Sequence, residues 1–294
     1  MSGIHDAGVV LAVDIGGTKL AAARVSAEGV VGERATAPTA GADAEALWSA
    51  LAGLVAGVRQ GDEVACGVGC GGPMAPGGTT VSPLNIHQWR DFPLRGRLAA
   101  LLGEGVPVAV DNDAKALALG EGWRGAARGV DDFVALVVST GVGGGIVLDG
   151  RLLDGAGGNA GHIGHVIVEP GPEGHRCGCG AWGCLEAEAS GTAIAAITGA
   201  PPAAAPPEVR ERTGRLVGRA VASVANLLDL RLAVVAGSVA LGYGAAFFGA
   251  AQAELDARSR LSFSAGARIV PAGLGADGPL VGAAAVAWRA LGRL

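Results

Sequence analysis

Two stretches of the chain share one pattern: an unbroken apolar run, a cluster of glycines and polar residues, then a second apolar run. Residues 9–13 lead through Asp14-Ile15-Gly16-Gly17-Thr18-Lys19 into residues 20–25, and residues 133–138 lead through Ser139-Thr140-Gly141-Val142-Gly143-Gly144-Gly145 into residues 146–148. Apolar runs without alternation predict strands covered on both faces. The glycine clusters predict tight turns whose exposed N–H groups can hold a phosphate. Two halves of related design follow. Between the repeats, apolar spacing predicts helices over 44–60 and 94–102, a short strand over 106–110 ending in Asp111-Asn112-Asp113, and a helix over 114–123. Residues 150–184, dense in Gly, His and Cys, read as a loop-rich insertion that carries chemistry. Beyond it, 186–196, 209–228, 245–259 and 281–291 read as helices, 232–235 as a strand, and the Ala/Pro-rich 198–207 as a surface connector.

One segment needs a decision. Residues 232–253 carry no charge and have the length of a membrane span, but Gly237-Ser238, Gly242, Gly244 and Gly249 interrupt the run, which fits strand, turn and small-residue helix better. Composition agrees with a globular α/β protein: of 294 residues 50% are hydrophobic, only 4% aromatic, and 52 are glycine, so the core is built from Ala, Val and Leu with closely packed backbones. A net charge of −5 excludes a nucleic-acid or anionic-membrane binder by bulk charge. Five cysteines, three of them in residues 177–184, and no N-terminal stretch of leader type point to a reducing cytoplasm and a thiolate site. Lys19 and Lys115 are the only lysines, so each merits attention.

The Asp14–Lys19 hexapeptide places a carboxylate at a strand end, glycines in the turn, and a hydroxyl and an ammonium directly after. That set suits a triphosphate, with Asp14 available to Mg²⁺; as a lone motif it is equally an ordinary hairpin turn. The second glycine cluster favours the phosphate reading, and neither cluster has Walker spacing. Cys177, Cys179 and Cys184 with His165 form an S₃N set that suits tetrahedral Zn²⁺, closed and therefore structural. His175 competes as the nitrogen ligand. Asp111-Asn112-Asp113 is either an N-cap cluster or a general base with a hydrogen-bonding partner at the carboxyl end of a strand. Glu186 and Glu188 are similarly open between a function and a first helical turn. Cys66 and Cys70 read as small apolar residues, and Trp48, Trp123, Trp182 and Trp288 as packing residues.

These residues resemble the ROK family of sugar kinases. The hexapeptide, Gly67-Val68-Gly69-Cys70-Gly71-Gly72-Pro73, Asn112-Asp113-Ala114, the second glycine cluster, Gly161-His162-Ile163-Gly164-His165 and Cys177-Gly178-Cys179-Gly180-Ala181-Trp182-Gly183-Cys184-Leu185-Glu186 stand in the family's order across essentially the whole chain. The resemblance implies a two-domain actin-like ATPase (ribonuclease-H-like) α/β fold with an interdomain cleft. It implies a smaller lobe of 1–113 plus 281–294 and a larger lobe of 114–280 carrying the zinc loop. It implies ATP and Mg²⁺ at Asp14, Gly16, Gly17, Thr18, Lys19, Thr140, Gly141, Gly143, Gly144 and Gly237, and transfer to the 6-hydroxyl of a hexose. Asp113 matches the catalytic base, and Gly72, Asn85, Asn112, Asp113, His162, His165 and Glu186 match sugar-binding positions. His165 would serve zinc with one ring nitrogen and sugar with the other.

No DNA-binding segment of the kind carried by ROK repressors is expected ahead of the first strand. A homodimer or homotetramer is expected, with no nucleic-acid or membrane partner. Many ROK glucokinases carry Glu where this chain has His162. The Gly-His-Ile-Gly-His form resembles N-acetylmannosamine kinases and some N-acetylhexosamine kinases, so the expected sugar is an N-acetylhexosamine, GlcNAc ahead of ManNAc, with glucose as the alternative. A catalytically silent sugar sensor is the rival from another class; it need not keep Asp14, Lys19 and Asp113, which are all present. Gly71 departs from the family's usual Pro.

Overall fold

In the structure, a computed structural model, residues 8–41 and 43–294 are described. The expectation about what precedes the first strand concerns residues 1–7, outside the described residues. Contacts divide the chain into two compact units. The first holds the described part of Met1–Arg124 with Asp154–Asn159 and Leu274–Leu294; the second holds Gly125–Leu153 and Ala160–Gly273.

In the first unit, β1 (Val9–Ile15), β2 (Lys19–Ser26), β3 (Val31–Pro38), β4 (Glu63–Cys70) and β5 (Val108–Asn112) form one sheet in the order β3-β2-β1-β4-β5. β1 is antiparallel to β2 and parallel to β4, and β4 is parallel to β5. Successive side chains of a strand face opposite ways, and both faces here are covered. Leu11 and Val13 pack with Leu47, Leu51 and Val55 of α1 (Ala44–Val58) and Leu94 and Leu98 of α2 (Leu94–Leu102). Two helices of this unit lie elsewhere in the chain, α3 (Asp113–Arg124) and the last α-helix (Gly278–Ala290). Val10 and Ala12 pack on Leu280, Ala283, Ala284, Ala287 and Trp288 of the latter. The lack of polar alternation in residues 9–13 has this cause.

The second unit repeats the design. Its strands are β6 (Phe133–Val138), β7 (Val142–Leu148), β8 (Arg151–Leu152), β9 (Leu232–Ala236) and β10 (Arg268–Pro271), in the order β10-β9-β6-β7-β8. β6 takes the place of β1, antiparallel to β7 and parallel to β9. The helices are α4 (Leu185–Ala189), α5 (Gly191–Thr198), α6 (Pro207–Leu228), α7 (Ser238–Tyr243) and α8 (Ala245–Arg258), and the last α-helix of the first unit is α9 in chain order. The α/β, two-domain, actin-like arrangement expected from the sequence is the one found. None of the described helices is long and apolar enough to cross a membrane, and 232–253 is strand, turn and helix as expected.

Three expectations need correction, and four strands were not foreseen. The helix expected over 186–196 is two helices, because Ser190 leaves helical geometry (φ −70°, ψ 157°) and its hydroxyl accepts from Ala193 N–H to cap α5. The strand expected over 106–110 begins at Val108, since Pro107 has no N–H to give a ladder, although its carbonyl accepts from Cys66. Four strands were not expected: β3 is mostly exposed, β8 has two residues, β10 is a four-residue edge, and the apolar run of the buried β4 is broken up by Gly67 and Gly69. Finally, Gly143, Gly144 and Gly145 are strand residues of β7 and not part of the turn, because pairing of Val138 with Val142 closes the hairpin within residues 139–141.

Candidate functional site

In the first unit, the parallel strands β1, β4 and β5 end together, and their carboxyl ends hold most of the residues singled out above. Asp14 pairs in register with Gly69, and Cys70 with Asn112. Over Gly69 stand both the Asp14 carboxylate and the backbone of Asp113, the first residue of α3. Burial, reinforced by the Asp113 charge and opposed by Lys19, pushes the Asp14 carboxyl from 3.8 up to about 7. The charge of Asp113 thus adds to burial in opposing ionisation of Asp14. Cys66 and Cys70 are buried small apolar residues, as expected; burial pushes the Cys66 thiol up to about 12.

The turn of residues 16–18 closes by Gly16 N–H donating to the Lys19 carbonyl at 3.0 Å, and Thr39 fastens it from outside by donating its hydroxyl to the Gly16 carbonyl at 2.6 Å. Gly17, Thr18 and Lys19 are exposed. Asn85 stands directly over Gly17. Gly72 accepts from Leu84 N–H at 3.2 Å, which ties it to the Asn85 loop, and the Asn112 amide lies beside Gly72. Asn112 and Asp113 both accept from Ala114 N–H, at 3.0 Å and 2.9 Å, so the N-cap reading of the Asp111-Asn112-Asp113 cluster holds alongside any chemical role. Asp14, Gly17, Gly72, Asn85, Asn112 and Asp113 thus form one cluster. Lys115 is buried and pairs with Asp111 at 3.2 Å and Asp154 at 2.7 Å, next to this cluster.

In the second unit, Thr140 and Gly141 lie in the turn between β6 and β7, closed by Ser139 N–H to the Gly141 carbonyl at 2.9 Å. Gly237 follows β9 with φ +101° and passes so close to Val138 that any β-carbon would collide with its carbonyl. The next residue, Ser238, reaches Ser139 hydroxyl to hydroxyl at 3.0 Å. These turns open onto a cavity of about 600 Å³ whose walls include Thr140, Thr192, Arg210, Ser238 and Tyr243. Sequence reasoning missed Thr192, Arg210 and Tyr243, which come from three helices and share no motif. Gly144 serves the neighbouring loop: a β-carbon there would press on Ile163 and the Gly161 carbonyl. Glu186 accepts from Val142 N–H at 3.0 Å, so this expected sugar ligand lies against the β6–β7 turn.

The remaining residues surround the cysteines. His165, Cys177, Cys179 and Cys184 bring one ligand atom each to within 4.8 Å of the others. Cys177 Sγ is 3.7 Å from His165 Nδ1, and Cys179 Sγ is 3.7 Å from Cys184 Sγ. Zinc–sulfur bonds of about 2.3 Å at a tetrahedral angle separate two sulfurs by about 3.8 Å, so the donor set and its spacing fit zinc. Of the two candidate nitrogens, that of His165 lies in the cluster, whereas His175 turns its Nδ1 to Glu188, 3.0 Å away. His162 is exposed, its ring 6.1 Å from that of His165.

The ROK family profile matches residues 10–290. An N-acetylmannosamine kinase of Escherichia fergusonii is 40% identical over 252 residues, spanning 80% of this chain and 84% of that protein. A ROK family glucokinase from Streptomyces griseus, solved in complex with glucose and AMPPNP, superposes with a TM-score of 0.81 at 31% identity, covering 96% of this chain and 100% of that one. A ROK hexokinase from Thermus thermophilus gives 0.78 at 34% identity, covering 97% and 99%.

Proposed function

The chain belongs to the ROK family, and from that premise we propose that it transfers the γ-phosphoryl group of ATP to the 6-hydroxyl of an N-acetylhexosamine. The observation that carries this reading is the pair of carboxylates, Asp14 and Asp113, at the ends of adjoining elements, ringed by Gly72, Asn85 and Asn112. Asp113 takes the proton of the sugar hydroxyl as its oxygen bonds to the γ-phosphorus and the bond to ADP breaks. Asn85 and Asn112 orient the sugar; the turn of Gly16, Gly17 and Thr18 with Lys19, and that of Thr140 and Gly141, receive phosphate oxygens. Gly237 and the cavity beside it take the nucleoside. Mg²⁺, held by Asp14, supplies charge neutralisation at the phosphates. Zn²⁺ on His165, Cys177, Cys179 and Cys184 holds the loop that presents His162 and His165.

His162, standing where a carboxylate would grip hydroxyls, suits an acetamido group, and the similarity to an N-acetylmannosamine kinase of Escherichia fergusonii supports ManNAc ahead of GlcNAc, with glucose third. A coupled ADP-release assay over these three sugars tests the reading. The highest kcat/KM on ManNAc supports it, a preference for glucose overturns the sugar class, and no ADP with any hexose leaves a silent sensor. Asp113→Asn is expected to lower kcat by at least ~10²-fold with the fold intact; near-normal turnover would remove Asp113 from its role.

A further inference from the structure

Glu188 has no exposed surface, yet it is a carboxylate on α4, four residues beyond Cys184. A charge so placed is retained only if donors surround it, and they do. It accepts from His175 N–H at 2.5 Å, from His175 Nδ1 at 3.0 and 3.1 Å, and from Arg212 Nη2 at 2.6 Å, while Arg212 Nη1 donates to its carbonyl at 3.2 Å. His175 stands two residues ahead of Cys177, and its carbonyl accepts from Gly183 N–H at 2.9 Å. One carboxylate therefore joins the start of the cysteine loop to the segment just after its end, and fastens both to α6 through Arg212.

We propose that Glu188 is a positioning residue that docks the cysteine loop through His175 and so keeps the four-ligand cluster assembled, with His165 and not His175 as its nitrogen. Resting on the zinc reading above, this adds a cause for the choice of ligand. Since a carboxylate only accepts, the His175 ring must donate from Nδ1 toward it. Release of that ring would free a second imidazole two residues ahead of Cys177. Glu188 thus acts both as a clasp and as a guard against the wrong ligand.

The test uses the full chain as wild type, Glu188→Gln, His175→Ala and the double variant, each loaded with zinc and mixed with a chromogenic chelator. Glu188→Gln is expected to release zinc ~10- to 100-fold faster, the usual cost of losing a group that orients a metal site from behind its ligands. His175→Ala is expected to speed release less, and the double variant to be no faster than Glu188→Gln, because both changes cut one link. The Co²⁺-substituted Glu188→Gln chain is expected to show a changed d–d spectrum as His175 competes, and His175→Ala in that background to restore it. Should Glu188→Gln fail to fold, His175→Ala, whose ring is half exposed, decides by its release rate alone. Wild-type release rates in the folded variants, or an unaltered Co²⁺ spectrum in Glu188→Gln, overturn the inference while leaving the zinc reading in place. A wild-type chain that takes up no zinc overturns both.

Discussion

Two irregular loops carry the residues proposed to bind the sugar, and they are held by different physics. The loop of residues 71–92, which presents Gly72 and Asn85, is plugged from beneath. Trp89 is fully buried, stacks on Phe92 with ring centroids 4.3 Å apart, and donates its indole N–H to the Ala44 carbonyl at 3.3 Å. Val81 and Ile86 are buried beside it, and Val81 bridges to both Met74 and Phe92. The loop of residues 160–184 has no aromatic plug: its one tryptophan, Trp182, is 61% exposed, and Ile163 and Val168 are its buried aliphatics. Such a segment cannot offset its ordering entropy by burial. Backbone bonds from Val168 to Gly183 and from Gly183 to His175, and Arg219 donating to the Val168 carbonyl, tie it together, and the proposed metal cluster with the Glu188 clasp would add to them. An aromatic residue makes the first loop a part of the core, whereas the glycine-rich second loop offers a metal-binding donor set in its place.

The largest effect should come from breaking the second loop. Cys179→Ser, or prolonged chelation, is expected to abolish activity with every hexose, since metal binding energy is folding energy for such a segment. Hydrogen exchange should then show protection lost over 160–184 and retained over 71–92. Joint loss of both would contradict the contrast, and a variant keeping zinc and activity would refute the metal site. The corresponding change in the first loop, Trp89→Ala, is expected to lower stability by about 3–5 kcal/mol, the usual cost of emptying a buried aromatic position. Urea unfolding of the zinc-loaded chain checks it, with zinc content unchanged; a cost below about 1 kcal/mol would show that the plug does not hold the loop.

The contrast also explains what could be read from the sequence. The cysteine loop was legible because metal ligands are a small alphabet at fixed spacing: all four proposed ligands lie together, and only the choice of His165 over His175 needed coordinates. Both central hairpins were legible from their apolar runs, since strands covered on both faces advertise themselves. Trp89 was not, as a single tryptophan in a polar segment gives no period, and Trp48, Trp123, Trp182 and Trp288 drew the attention instead. Glu188 was ambiguous for a related reason: a carboxylate in a first helical turn is ordinarily exposed, and its partners His175 and Arg212 come from 13 and 24 residues away. The glycines of β7 misled because repetition of composition was read as repetition of a turn, when close packing on Gly161 and Ile163 is what excludes a side chain at Gly144.

A change of pH should act in opposite directions on Asp14 of the first unit and on the cysteine loop of the second. The folded-state carboxyl of Asp14, near 7 against an ordinary 3.8, binds its proton more tightly than in the unfolded chain. Its contribution is therefore complete below about pH 4 and is lost as pH rises through about 7. With Mg²⁺ and nucleotide absent, the difference in stability between wild type and Asp14→Asn should grow by about 2 kcal/mol from pH 5 to pH 8, partial exposure of Asp14 having reduced the full linkage. The zinc loop runs the other way. Burial pushes the Cys184 thiol up to about 12 and raises that of Cys177; zinc must displace those protons, so its retention should improve over the same interval. Thermal unfolding of the Asp14→Asn chain and zinc release at each pH give the two slopes. Slopes of the same sign would show that one group governs both.

The smallest effect belongs to Arg90, whose Nη1 donates to the carbonyls of Pro83, Ile86 and Trp89 at 3.0, 2.9 and 2.6 Å, on both sides of Asn85. Three carbonyls gathered by one cation fix the backbone that aims Asn85, but Trp89 still anchors the loop when the cation is gone, and exposure of Arg90 lets water replace the lost donors. Arg90→Ala should consequently cost only about 1 kcal/mol of stability. It should act on orientation before it acts on chemistry: KM for the sugar rises several-fold while kcat stays within about twofold, the pattern of lost uniform binding. Arg90→Lys should not rescue it, since one ammonium cannot reproduce the guanidinium's planar array of donors. An equal fall in kcat would mean that Asn85 acts on the transition state, and the first loop would then belong to the catalytic apparatus to the same degree as Asp113.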